Sequence, residues 1–220
     1  MEAPRIDFKI LTATEEDAFT LAHVEAIAND EANKARGETN LSHVIFGPPS
    51  DARKEFRAKG IIDKMKNDKY ARYCKAVVEE NGEEKIVGWA NWFFYTELQP
   101  IEFKEIDWPA GTNSTACNEF VRTLTTVRAK HQTGKKFGYL QVLATLPQYR
   151  GQGIGSGLLK VGLAEARELG LTEFFLEASD DGHDLYAKFG FADVERIMID
   201  LVPYGGKGEA QVRAMSILPN

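Results

Sequence analysis

One segment constrains this chain more than any other: Pro147-Gln148-Tyr149-Arg150-Gly151-Gln152-Gly153-Ile154-Gly155-Ser156-Gly157. The apolar run from Phe137 to Leu146 before it reads as a buried strand ended by Pro147. After it, Leu158, Leu159, Gly162, Leu163, Ala166 and Leu169 recur at helical spacing, and Gly170 closes the helix. Glycines let the backbone come close to a ligand, and a helix start offers unpaired N–H groups at a positive dipole end. The segment therefore reads as an anion site, most naturally for a diphosphate. The plain alternative is a turn whose glycines serve packing alone.

Three diphosphate-site designs compete for it. A nucleotide-triphosphate loop needs Gly-Lys-Ser/Thr after four spacers, and no lysine stands there. A dinucleotide fingerprint is nearly met by Gly151-x-Gly153-x-x-Ser156, with Glu173 or Glu177 downstream. Yet the remaining chain is too short to complete a doubly wound sheet. The third design, Arg-x-x-Gly-x-Gly, is satisfied by Arg150, Gly153 and Gly155.

The rest of the chain alternates helices and strands. A strand at Phe8–Leu11 leads to a helix capped by Thr12 or Thr14, with the stripe Phe19, Leu21, Val24, Ile27 and an end near Arg36-Gly37. A second helix starts after Gly47–Asp51, carries Phe56, Ile61, Ile62 and Met65, and has a candidate break at Gly60. Tyr73–Glu79 and Lys85–Tyr95 form a hairpin about Asn81-Gly82. Residues 96–113 read as irregular, and a polar helix follows over 115–131. Further strands are expected at Thr172–Ala178, Phe191–Val202 and Gln211–Leu218, with a short helix from Asp180 or Asp181 through Tyr186. No repeat or linker interrupts this, so residues 1–220 are expected to form one α/β domain.

Three pieces in order resemble the GCN5-related N-acetyltransferase (GNAT) superfamily. They are Leu143-Ala144-Thr145-Leu146-Pro147, Arg150 through Leu159, and Leu185-Tyr186-Ala187-Lys188-Phe189-Gly190-Phe191. The resemblance is sharp over about 137–200, the cofactor-binding core, and loose in the hairpin. It implies a twisted mixed sheet of six or seven strands flanked by helices, in which two central parallel strands, 137–146 and 172–178, splay apart. It implies acetyl-CoA as acyl donor, its pantetheine arm in that gap beside Leu143, Ala144 and Thr145. The backbone amides of Arg150, Gly151, Gln152, Gly153, Ile154 and Gly155, with Ser156 beside them, would bind the diphosphate. Ser179 stands where the family often has a cofactor-contacting Asn, and Gly182 where Ala is common.

The implied chemistry is direct attack of a primary amine on the thioester, in a ternary complex. A backbone N–H near Leu143 would serve the oxyanion. Tyr186 matches the family's tyrosine that protonates the leaving thiolate; read without the family, it is an amphipathic Tyr packing beside Phe189. The base is open. Tyr139 and Gln141, at the inward positions of the first splayed strand, are poor bases. Glu177 on the second is a candidate, as are Asp30 and Glu31 at the end of the first long helix; each carboxylate has an ordinary surface reading beside that one.

Composition sets outer limits. With a net charge of −6 the chain lacks the basic footprint of a nucleic-acid binder. Residues 51–75 hold nine Lys and Arg against four Asp and Glu, read as a solvated helix face or a phosphate-binding one. The acidic remainder suits a cationic acceptor. No apolar run is long enough to span a membrane, and the first residues make no secretory signal, so the expected setting is cytoplasmic. His23, His43, His131, His183, Cys74 and Cys117 show no metal-ligand spacing, so no metal is expected, and Cys117 reads as structural. The aromatic run Trp89, Trp92, Phe93, Phe94 and Tyr95 reads as core, its alternating members burying one face, with the sharper alternative that the other face lines an acceptor pocket. Region 96–136 is long enough to fold over an acceptor site or to make a homodimer contact.

The reading is thus an acetyl-CoA-dependent N-acyltransferase acting on a small primary amine. A protein or peptide N-acetyltransferase, a non-catalytic acyl-CoA sensor on the same fold, and a nicotinamide-nucleotide enzyme stay open beside it.

Overall fold

The strands expected from the sequence pair into one sheet. The computed structural model describes residues 6–34, 41–48 and 50–219, and of residues 30–34 and 41 the backbone alone. In chain order the strands are β1 (Lys9–Thr12), β2 (Ala71–Glu80), β3 (Glu83–Tyr95), β4 (Phe137–Thr145), β5 (Phe174–Ala178), β6 (Ala192–Asp200) and β7 (Glu209–Ile217). They lie in the order β1-β2-β3-β4-β5-β7-β6. The β4–β5 pair alone is parallel; the other five neighbour pairs are antiparallel. That mixed order excludes a doubly wound dinucleotide fold.

Among the described residues six α-helices cover the two faces. On one lie α1 (Ala18–Lys34), α2 (Leu41–Phe46), α3 (Asp51–Asn67) and α4 (Ser114–Gln132); on the other α5 (Ile154–Glu168) and α6 (Asp180–Lys188). Strand alternation divides the β3 aromatics between them. Trp89 and Phe93 lie under Arg57 and Lys64 of α3, while Trp92 meets Gly162 of α5. Both faces of this run are therefore core, and Trp89, Trp92, Phe93 and Phe94 are all buried. Helix α3 starts at Ser50, whose hydroxyl accepts from Arg53 N, and runs unbroken through Gly60. The expected break there does not occur: a Cβ at Gly60 would meet nothing within 4 Å, and one glycine costs a helix only about 1 kcal/mol. The end of the first helix near Arg36-Gly37 falls outside the described residues.

The feature that positions the site is the parting of β4 from β5. They pair only at Gly138–Phe174, Tyr139–Phe175 and Leu140–Leu176. At the next residue β4 bulges: against β3 the register passes from Leu140–Trp92 to Val142–Asn91, leaving Gln141 without a partner. A bulge bends its strand and adds twist, which turns the remainder of β4 away from β5. From Val142 to Thr145, β4 keeps β3 on one side and has an open edge on the other. Leu146 N donates to Val87 O on β3 at 2.8 Å. Main-chain groups alternate sides along a strand, so those of Leu143 and Thr145 point into the gap.

Candidate active site

The gap ends at the glycine turn. A 3-10 turn over Pro147–Tyr149 leads into it, and Gly153, with φ +89°, is the residue just before α5. Gly151 has φ +75°, and a Cβ at either glycine would meet nothing within 4 Å. The cradle is therefore open, and its backbone conformation is one that L side chains adopt at a cost. Gly157 N bonds Gly153 O at 2.9 Å; among the described residues the amides of Gly151 through Ser156 have no backbone acceptor. These groups suit a diphosphate at a helix start. Arg150 contributes differently: its amide bonds Pro147 O, and its guanidinium bonds Ala28 O at 2.8 Å and Thr145 O at 3.4 Å, tying the turn to α1. Gln152 Oε1 accepts from Ile6 N at 3.4 Å.

On the α5 face the gap is walled by α6. A Cβ at Gly155 would lie 3.2 Å from Leu185 Cδ2 and 4.0 Å from Leu143 Cδ2, so the first turn of α5, helix α6 and β4 converge there. Tyr186 follows Leu185 and is buried against Phe191, the ring centroids 6.1 Å apart. Its ring lies over Gly182, where a Cβ would come within 2.6 Å of Tyr186 Cε2. Burial pushes the phenol well above its ordinary range, so it keeps its proton at neutral pH. Ser179 precedes α6, and its side chain makes no capping bond.

Glu177 occupies the opposite face, at the first position of β5 that β4 no longer pairs. Its side chain is 6% exposed and lies 3.1 Å from Arg128 Nη1 of α4. Arg128 Cζ also sits 4.1 Å above the Tyr139 ring. Burial pushes the Glu177 carboxyl above its ordinary range, opposed by the Arg128 guanidinium and the Tyr139 hydroxyl. Gln141, on the bulge, is exposed. The side chains of Asp30 and Glu31 lie outside the described residues.

Sequence reading missed Arg128, Lys64 and Arg57. A signal existed: a lone Glu inside Phe174-Phe175-Leu176-Glu177-Ala178 demands a buried cation. The basic stretch 51–75 is not simply a solvated face. Arg57 pairs with Glu25 at 2.8 Å over the Trp89 ring, and Lys64 sits 4.7 Å above Phe93. Other candidates settle into structural contacts. His183 is tied to Asp193 at 2.9 Å, and Cys117 Sγ donates to Ile45 O at 3.0 Å. Trp108, in the long connection, packs on Phe46 and bonds Asn118 of α4. A cavity of about 470 Å³ lies away from the gap, between β1, β2 and α5, lined by Thr12, Arg72, Cys74 and Glu165. Among the described residues no cluster of three His, Cys, Asp or Glu is arranged to hold a metal, and no helix is long and apolar enough to cross a membrane.

Comparison with known proteins agrees with this geometry. A family model described as Acetyltransferase (GNAT) family matches residues 46–191. The mosquito arylalkylamine N-acetyltransferase like 5b superposes with a TM-score of 0.63 at 15% identity, over 96% of this chain and 99% of that one. The C-terminal condensation domain of Ebony, in complex with beta-alanyl-dopamine, gives 0.65 at 10% identity over 96% and 98%. The histone acetyltransferase HPA2 and related acetyltransferase from Corynebacterium glutamicum gives 0.55 at 19% identity over 98% of each chain. At these identities the likeness is one of fold. No curated protein matches the chain.

Proposed function

The chain belongs to the Acetyltransferase (GNAT) family and is an N-acetyltransferase, and from that premise we propose that it transfers an acetyl group from acetyl-CoA directly to a primary amine of a small molecule. The observation that carries this reading is the gap itself: two parallel strands that part after three register pairs, with an open glycine cradle at the far end of one of them.

In this reading the amides of Gly151 through Ser156 hold the diphosphate, and the open edge of Leu143, Ala144 and Thr145 pairs with the pantetheine arm as an added strand would. Acetyl-CoA, when bound, supplies a thioester whose carbonyl an amine can attack. Leu143 N–H donates to the carbonyl oxygen as negative charge gathers there. Glu177 accepts a proton from the acceptor's ammonium, the nitrogen sheds its second proton to solvent as the amide forms, and Tyr186 Oη gives its proton to the departing sulfur and regains one from solvent once CoA leaves. Both side chains are buried. A small-molecule acceptor is favoured by the solved structure named for arylalkylamines, which has one of the higher TM-scores. Residues 1–220 act as one unit in this scheme.

The test is thiol release from acetyl-CoA with a panel of arylalkylamines, polyamines and lysine peptides, alongside calorimetric titration with CoA. Release with small amines and tight CoA binding are expected. CoA binding without release by any amine would favour a sensor, and release with peptides alone would move the acceptor to proteins.

A further inference from the structure

Helix α4 delivers Arg128 to the sheet face opposite Tyr186. Its Nη1 is 3.1 Å from Glu177 Oε1, and its Nη2 donates to Thr125 Oγ1 at 3.3 Å. Its Cζ stacks 4.1 Å above the Tyr139 ring. The guanidinium is thus fixed from three sides, and the two ionic side chains are 16% and 6% exposed. Stability alone does not account for the pair, since well-packed apolar residues in place of a buried ion pair are often neutral or stabilising. Its location does: Tyr139 lies in the last stretch where β4 and β5 still pair, and Glu177 just beyond it.

We propose that Arg128 is a positioning residue for acyl transfer, holding Glu177 as an oriented carboxylate at the apex of the strand gap so that it can take the acceptor's proton. This rests on the reading of Glu177 as the base. A buried carboxyl left alone becomes a neutral acid and cannot accept a proton. A single cation restores the charge, and the opposition of burial and Arg128 leaves a carboxylate that can still be protonated. In the step itself an N–H bond of the ammonium breaks, the electron pair stays on nitrogen, and the proton forms an O–H bond on Glu177. Water then removes that proton and the ion pair re-forms. The charged and titratable groups facing Glu177 are Arg128 from α4, Tyr139 from β4 and Tyr95 from β3; Lys64 of α3 adds positive charge near Arg128. The β7 residue in register with Glu177 is Ala214, which adds none.

The experiment combines two readouts on wild type, Arg128→Gln, Arg128→Lys and Glu177→Gln. The Glu177 carboxyl is titrated by carbon NMR with labelled glutamate, using Glu177→Gln to assign the signal. The pH dependence of kcat/KM is measured with two amines of different basicity, so that a limb common to both belongs to the protein. Arg128→Gln should move the carboxyl titration and the acid limb upward together by about 1–3 units. Arg128→Lys, which keeps a charge but loses the fork, should move both by less and recover part of the rate. Should Arg128→Gln fail to fold, the Arg128→Lys shift carries the test. If Glu177→Gln keeps the limb and the rate, the base reading itself fails. If it loses them while both Arg128 variants leave the titration where it was, the base reading stands and the role of Arg128 is overturned.

Discussion

Helix α5 meets Trp92 of the sheet at a glycine, Gly162, and that contact can be tested by adding a methyl group. A Cβ at Gly162 would lie 2.1 Å from Trp92 Nε1, 2.4 Å from Cε2 and 2.7 Å from Cδ1. Ordinary contacts between such atoms need about 3.5 Å, so Gly162→Ala must lift the helix or tip the indole by about 1.4 Å. Trp92 cannot yield easily: it is 1% exposed, with Phe94 and Phe174 at centroid distances of 6.0 and 6.4 Å. Alanine's helical preference returns about 1 kcal/mol, against an overpacking cost near the top of the usual range, about 3 kcal/mol. The net is a loss of about 2 kcal/mol, a fall of about 4–8 °C in Tm for a chain of this size. Because α5 carries the glycine cradle at its start, CoA affinity should fall with it. Among the described residues Trp92 Nε1 has no hydrogen-bond partner, so Trp92→Phe removes the nearest clashing atom without breaking a bond. In a double-mutant cycle the two changes together should therefore cost at least about 0.5 kcal/mol less than their sum. Calorimetric melting and CoA titration read both effects. A higher Tm in Gly162→Ala would show that helix and sheet do not meet this closely.

Tyr186→Phe should lower kcat by about 10²-fold or more while CoA binding holds, checked by steady-state kinetics and calorimetry; unchanged turnover would remove the phenol from the mechanism. Gly182→Ala presses a methyl to within 2.6 Å of Tyr186 Cε2, so it should cut turnover while gained helix propensity keeps Tm within a few degrees of wild type. Asp17→Asn breaks a contact in which Lys75 Nζ lies 2.7 Å from both carboxylate oxygens, with side chains 13% and 17% exposed, and should cost about 3 kcal/mol. Burial pushes the Asp17 acid up, but Lys75 and Thr14 outweigh it and hold it below its ordinary range. Its contribution is therefore full above that range and fades as pH falls through the lowered value, so denaturant melts of wild type and Asp17→Asn should converge well below about pH 4.

The parts of the fold that were legible are those in which local chemistry acts alone. Pro147 ends a strand whatever lies around it, and Asn81-Gly82 turns the β2–β3 hairpin with both residues at positive φ. The order of strand, glycine turn, helix and second strand was visible for the same reason, while the splay of the two strands came only with the family resemblance. Helix α2 was not: six residues are too few to show a helical period, and it packs against α4, remote in sequence. Region 51–75 was half read. Its helix was plain, but whether Arg57 and Lys64 point outward or onto Trp89 and Phe93 depends on which strand lies beneath, and a count of charges holds no such information.

The same distinction separates the two halves of the candidate site. Tyr186 lies in a local motif, so sequence could nominate it; Glu177 draws its character from Arg128, 49 residues away. Strand parity then sets how the proposed roles divide. Leu176 and Ala178 point to the α5 face, and α6, which follows β5 directly, brings Tyr186 to that same face. Glu177, between them, must point the other way, toward α4. A donor and an acceptor of protons on opposite sides of one strand cannot exchange a proton with each other. Each remains available to its own partner, the departing sulfur on one side of the gap and the arriving amine on the other. In the proposed direct transfer each group then serves its own partner, and an alternation of period two along five residues is sufficient to separate the two.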